Sequence, residues 1–318
     1  MGRTGIYACE ENVSRRNSSE SVVLFSLKQE APASIGGSTF TEGVFMKLGK
    51  QSRRIGSLAM VLAMLFFSYT ADAHSLWLNF TDYMPAASDS GQIKTKLYIG
   101  WGHRFPVDSF VKSEDFESII LRDPMGREKD VILETTGFAA ADLTLDKPGI
   151  YTVAITRKAA LNTSYKKNGK TITVKEDKTG KENIISSVYS QQFAKSIICA
   201  GGNFRDDIGH EFGQKLEIIP ITNPYGIINN CGGLMKVKVL FEGKPIPFLK
   251  VWGMYEGYSS GDAASVMVST NRDGEAEFRI NHWGTWLLRT RYDRPAAGEL
   301  ADRVNNEHYF SSITFFVP

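Results

Sequence analysis

Beyond residue 74, apolar and polar side chains alternate along much of the chain. Ile93, Thr95, Leu97 and Ile99 fall on one side of the Gln92–Ile99 segment, and Met235, Val237, Val239 and Phe241 do the same further on. A strand turns successive side chains to opposite faces, so a period of two predicts strands with one buried face. Asn168-Gly169 separates TSYKK from KTITVKE, and Asp273-Gly274 separates SVMVST from EAEFRI. Both pairs tolerate the positive φ angles that tight hairpins need, so both predict hairpins. No long stretch here carries a helical apolar period. The best short helical candidate is Ala296–Val304.

The pattern also repeats. Residues 143–155 read LTLDKPGIYTVAI and residues 278–290 read FRINHWGTWLLRT, with Leu143 matching Phe278, Leu145 matching Ile280, Gly149 matching Gly284 and Tyr151 matching Trp286. Each half is a strand, a turn around glycine, and a strand that opens with an aromatic. Such an echo is expected of two β-sandwich domains built on one plan. The expected organisation is an all-β protein with domains at 74–158 and 216–318, joined by a hairpin-and-loop connector at 159–215. The connector's hairpin carries five lysines between Lys158 and Lys175 and reads as a solvated surface element.

The stretch before residue 74 has a different character. Residues 55–71 (IGSLAMVLAMLFFSYTA) hold no charge, follow Lys47, Lys50, Arg53 and Arg54, and lead into Ala71-Asp72-Ala73. A basic flank, an apolar run and an A-x-A site describe an export signal, and the run is shorter than the roughly 20 residues a spanning helix needs. The signal is expected at 46–73, starting at Met46 and cleaved after Ala73. Residues 1–45 then read as an upstream start-site artefact or a disordered extension. The chain would be periplasmic, with no stable membrane insertion after cleavage.

Removing 73 of the 318 residues takes away eight of the 37 Lys+Arg and six of the 35 Asp+Glu. The remaining 29 of each balance, so the sequence pI of 8.3 belongs to the leader. No basic field remains to favour nucleic acid or anionic lipid. Cys199 and Cys231 follow the leader; export favours a disulfide between them, worth roughly 3–4 kcal/mol on a chain-entropy account.

All five histidines also follow the leader. Cleavage after Ala73 would make His74 the first residue, and its α-amine and imidazole Nδ1 could then chelate one metal ion. Nitrogen donors suit Ni, Co, Cu and Zn. His103 lies in the turn Gly100-Trp101-Gly102-His103-Arg104-Phe105-Pro106-Val107-Asp108 and is a candidate third donor, with Asp108 as an oxygen ligand or the group that orients the ring. His210, in Gly209-His210-Glu211-Phe212, is a further candidate. His282 reads as a turn residue and His308 as part of the last strand. Met84, Met125, Met235, Met254 and Met267 are scattered and read as packing. There is no G-x-x-x-x-G-K loop and no H-E-x-x-H, and the residues read as supplying no catalytic signature.

Several short motifs occur in a telling order. These are Ala73-His74 with Leu76-Trp77, the Gly100–Asp108 run, Leu216-Glu217-Ile218-Ile219-Pro220 with Asn223-Pro224-Tyr225, Phe241-Glu242-Gly243-Lys244-Pro245, Thr270–Gly274, and Gly284-Thr285-Trp286. Together they resemble the exported β-rich family described as the periplasmic component of nickel/cobalt uptake systems of the energy-coupling-factor type. The resemblance spans nearly all of 74–318. It implies immunoglobulin-like or transthyretin-like sandwich modules and a link to divalent-metal transport. His74 and His103 stand inside matching motifs.

The expectation is therefore a non-enzymatic accessory protein that captures Ni²⁺ or Co²⁺, with Cu²⁺ or Zn²⁺ as other ions the donors could take, and passes it to a membrane importer. Its metal ligands would come from His74, His103, His210 and Asp108. Two other readings stand beside it. One is a metal-independent β-sandwich module that binds sugars, peptides or other envelope proteins. The other is a copper-dependent oxidase using the same terminal histidine.

Overall fold

The alternation read from the chain becomes three packed sheets. The computed structural model describes residues 74–318, apart from 110, 135–138, 203, 205–207 and 228–231. The expected extension (1–45) and export signal (46–73) lie outside the described residues. So does Cys231, and with it the expected Cys199–Cys231 bridge. The described residues fall within one compact unit, Ala71–Pro318, and no α-helix occurs among them.

A ten-stranded sheet forms the centre. Across it run β14 (Val266–Ser269), β13 (Lys250–Tyr255), β16 (Gly284–Pro295), β17 (Asn306–Val317), β9 (Ile184–Ala200), β6 (Gly149–Arg157), β3 (Phe116–Arg122) and β4 (Glu128–Asp130). The hairpin of β7 (Ala160–Lys167) and β8 (Lys170–Val174) attaches along the first half of β9. A three-stranded sheet of β1 (Ser75–Phe80), β2 (Ile93–Gly102) and β5 (Ala140–Leu145) packs on the central sheet. The third sheet holds β10 (Leu216–Pro220), β11 (Leu234–Phe241), β12 (Lys244–Pro245) and β15 (Glu275–Arg279).

Strand β9 shows how the layers are ordered. Its Phe193, Ile197 and Cys199 enter one apolar core with Val237, Phe278 and Trp286. Its Ala194, Ile198 and Ala200 enter another with Leu78, Leu97 and Val153. Alternate residues of one strand point to opposite faces, so the small sheets cover opposite faces of the central one. A strand buried on both faces should read as a nearly continuous apolar run, and FAKSIICA does. The segments 74–158 and 216–318 thus share one sheet, joined where β9 and β17 run parallel. Two sandwiched cores make the protein an all-β sandwich.

The internal echo marks an equivalent corner in each core. β5 lies in a small sheet and β6 in the central one; β15 and β16 repeat that relation. Gly149 (φ 145°) and Gly284 (φ 101°) turn the chain between layers. Just after each turn a buried aromatic reaches back four residues: the Tyr151 hydroxyl donates to the Lys147 carbonyl at 3.0 Å, and Trp286 Nε1 donates to the His282 carbonyl at 2.9 Å. Each bond satisfies a carbonyl at a bend where the ladder has stopped.

Two turn expectations divide. Asn168 (φ 51°) and Gly169 (φ 74°) both take positive φ and close the β7–β8 hairpin, as expected. Asp273-Gly274 is not a hairpin, because β14 pairs with β13 and β15 pairs with β11. Only Gly274 has positive φ (75°), and the turn carries the chain from one sheet to another. A Cβ there would lie 2.8 Å from the Val239 carbonyl oxygen. The helical candidate Ala296–Val304 contains a single 3-10 turn, Gly298–Leu300.

Candidate functional site

Strand β1 is the edge of its sheet, so one row of its backbone groups lacks a ladder partner. The carbonyls on that edge find side chains of the central sheet instead. His74 O accepts from Gln192 Nε2 at 2.8 Å, Leu76 O from Ser312 Oγ at 2.6 Å, and Leu78 O from Thr314 Oγ1. These buried polar groups therefore have a defined task, which is to seat β1.

The antiparallel register of β1 and β2 then places the histidines. Ser75 pairs with Gly102 and Leu76 with Trp101, so His74 and His103 occupy the next rung beyond the ladder. Their ring centroids lie 4.5 Å apart, with planes inclined by 44°. His74 also stacks on Trp101 (5.6 Å, 18°), and the Arg157 guanidinium sits 4.0 Å from the Trp101 ring. His74 is exposed and His103 is partly buried.

The loop that holds His103 is tied by Asp108. One carboxylate oxygen accepts from the backbone N–H groups of His103 (2.7 Å) and Arg104 (3.2 Å). The other accepts from Arg104 Nε (3.1 Å) and Nη2 (2.8 Å). The His103 N–H, and then the Arg104 side chain, hold this carboxyl down at about 2. Gly102 permits the closure: it takes φ 135°, and a Cβ there would lie 2.2 Å from Asp108 Oδ2. From below, Trp77 Nε1 (2.7 Å) and Asn79 Nδ2 (2.9 Å) donate to the Pro106 carbonyl.

A contact that sequence reasoning did not anticipate completes the arrangement. His103 Nδ1 meets Asp262 Oδ2, in the loop after β13. Arg289 on β16 holds that carboxylate, with Nη1 2.9 Å from Asp262 Oδ1 and Nη2 3.0 Å from the Asp262 carbonyl. Nη1 also lies 3.1 Å from Ser75 Oγ, next to His74. A carboxylate paired with a permanently charged guanidinium accepts hydrogen bonds, so His103 Nδ1 is the donor. When the ring is neutral, Nε2 then carries the lone pair for another partner. Histidines that ligate metals are commonly oriented by a carboxylate on the second ring nitrogen.

The other expected site residues are placed differently. Asp108 has N–H donors on both oxygens, so its place is as the loop's internal tie rather than an open donor. His210 lies in a segment bound to β3, where Arg122 Nη2 donates to the Glu211 carbonyl at 2.9 Å and stacks on Phe212 at 4.0 Å. No contact among the described residues joins His210 to His74 or His103. His282 stacks on Tyr255 at 4.0 Å, and His308 lies 3.3 Å from Arg291 Nη2 and 3.9 Å from Asp293. Among the described residues, no group of three or more His, Cys, Asp or Glu side chains is arranged to hold a metal ion. Side chains alone supply two imidazoles here; a third nitrogen at this point would have to come from the backbone at His74.

The fold and site together define a class: an all-β sandwich with a histidine pair at the open end of its first two strands. The chain belongs to the family described as "Domain of unknown function (DUF4198)", whose profile matches residues 71–294. No curated protein sequence matches it. Among solved structures it is similar to the D0-D1 domain of Intimin, at 13% identity over 76% of this chain and 98% of that one, with a TM-score of 0.19. The D00-D0 domain of Intimin gives 12% identity over the same shares and a TM-score of 0.17. Scores this low carry no argument about fold or function.

Proposed function

We propose that the His74–His103 pair captures a divalent transition-metal ion, Ni²⁺ or Co²⁺, as cargo for a membrane importer. In a chain processed after Ala73, His74 supplies its α-amine and Nδ1, and His103 supplies Nε2. The observation that carries this reading is the Asp262–His103 contact, which occupies Nδ1 and leaves Nε2 as the other ring nitrogen, in a ring whose centroid lies 4.5 Å from that of His74. Asp108 and Arg104 keep the His103 loop in shape, and Arg289 keeps Asp262 in place. Three nitrogen donors bind several divalent ions, with Cu²⁺ held most tightly by the general affinity order. Binding needs a neutral imidazole and an unprotonated amine, so affinity falls with pH and binding releases protons.

Calorimetry on protein beginning at His74 tests the reading. Ni²⁺ and Co²⁺ should bind, and one extra residue ahead of His74 should remove most of the affinity by converting the amine to an amide. Equal affinity with and without that residue would rule out the terminal chelate. A metal-independent interaction module is the second reading, supported by the exposure of Phe248, Tyr258 and Trp283 on loops around the second sandwich. Binding only at millimolar metal would favour it.

A further inference from the structure

A cavity opens beside Asn79 and Pro106, and none of the histidines is among its lining residues. It holds about 580 Å³, within the usual range of small-ligand sites. The end of β1 and the turn after it line the cavity, together with Tyr98 of β2, Pro106, Glu256 just after β13, Thr285 of β16 and Phe316 of β17. Phe80, Tyr98, Met84 and Phe316 supply aromatic and thioether walls, while Asp82 and Glu256 stand exposed at the rim. No lysine, arginine or histidine is among its lining residues.

Three observations concern what the cavity wants. Among the described residues, the Glu256 carboxylate makes no hydrogen bond or ion pair. Asp82 uses Oδ1 to accept from Met84 N at 2.8 Å, which leaves Oδ2 for another donor. Asn79 is 1% exposed and lines the same cavity; its Nδ2 is taken by Pro106, and its Oδ1 has no donor. Buried acceptors are nearly always satisfied, so an orphan beside a cavity points to a partner that brings N–H groups. Burial, and then the charge of Glu256, raise the Tyr98 hydroxyl above its ordinary range.

We infer that this cleft binds a small organic cation: a primary ammonium or guanidinium group on a short aliphatic stem. Glu256 and Asp82 meet the charge, Asn79 Oδ1 takes an N–H, and Tyr98 and Phe316 offer ring faces to the cation and its stem. A neutral molecule of the same size would leave both carboxylates uncompensated, and an anion would be repelled.

Titration calorimetry at low salt tests this, with putrescine as probe and butanediol as its neutral counterpart. Putrescine should bind at least about tenfold more tightly than the diol, and the Asp82→Asn/Glu256→Gln variant should lose about tenfold or more, the equivalent of one 1.4 kcal/mol contact. Both substitutions are at exposed positions, and thermal melting checks that the variant folds. A lysine-containing tripeptide run alongside separates a free amine from a protein side chain. His103→Ala should leave putrescine binding intact, which keeps this site distinct from the metal reading. Equal binding of diol and diamine, an unchanged affinity in the double variant, or no binding of putrescine would each overturn the proposal.

Discussion

Replacing Asp262 with alanine removes the only described acceptor on His103 Nδ1 without touching a proposed ligand atom. The ring would then lose its orienting contact, and Arg289 would lose the carboxylate that it grips at 2.9 Å. Removing such an outer partner typically costs 10–100-fold in metal affinity, or about 1.4–2.7 kcal/mol. The effect on folding should be smaller, because Arg289 and Asp262 are partly solvated and the released arginine can reach water. The assay is competition for Ni²⁺ against a coloured chelator at fixed pH, on protein that begins at His74, with thermal melting as control. Asp262→Asn should fall between the two, since the amide keeps an acceptor but lacks the charge. If Asp262→Ala binds Ni²⁺ as the parent does while His103→Ala does not, the carboxylate has no orienting role. If His103→Ala also binds normally, the site itself is wrong.

Four further outcomes follow from the packing. Asp108 is held below the carboxyl value of an unfolded chain, so its contribution is present above that value and is lost as pH falls towards about 2; the stability difference between the parent and Asp108→Asn should shrink over the same interval in acid melts. Lys195 and Glu217 form an ion pair at 1% and 2% side-chain exposure, so Lys195→Ala should destabilise by about 3–5 kcal/mol in urea unfolding, whereas Lys195→Met with Glu217→Leu should lose much less. At Gly100 a Cβ would lie 1.9 Å from Trp77 Nε1, so Gly100→Ala should lower the melting temperature by the equivalent of about 1–3 kcal/mol as Trp77 leaves Pro106. Tyr151→Phe removes the corner bond to Lys147 and should cost about 0.5–1.5 kcal/mol by chemical denaturation.

The residues visible to sequence reasoning were those whose signal is local. Ile93 to Ile99 and Met235 to Phe241 alternate because each strand has one wet and one dry face, and that rule acts between neighbours. The echo at 143–155 and 278–290 was legible because both corners need a glycine and an aromatic at fixed spacing. Asn168-Gly169 closed its hairpin by its own φ preferences. Asp273-Gly274 carries a similar preference, but whether such a turn closes a hairpin depends on where the flanking strands find partners. Here β13 and β11 claimed them.

The histidine pair shows the same boundary. A histidine after a small-residue site and another in a glycine-punctuated turn were candidates on residue type. What set them 4.5 Å apart was the β1–β2 register, held in turn by side chains from β9 and β17. Asp262 stands 159 residues from His103, in a loop whose composition is that of any solvated loop. His210 had the same residue type as the pair, but its neighbours Glu211 and Phe212 are held by Arg122 on β3 instead. Local backbone preference and face polarity are properties of a few adjacent residues, and the chain carries them openly. Which distant groups meet depends on strand order, on the parallel joining of β9 to β17, and on the two cores that hold those strands together; only the packed structure decides that.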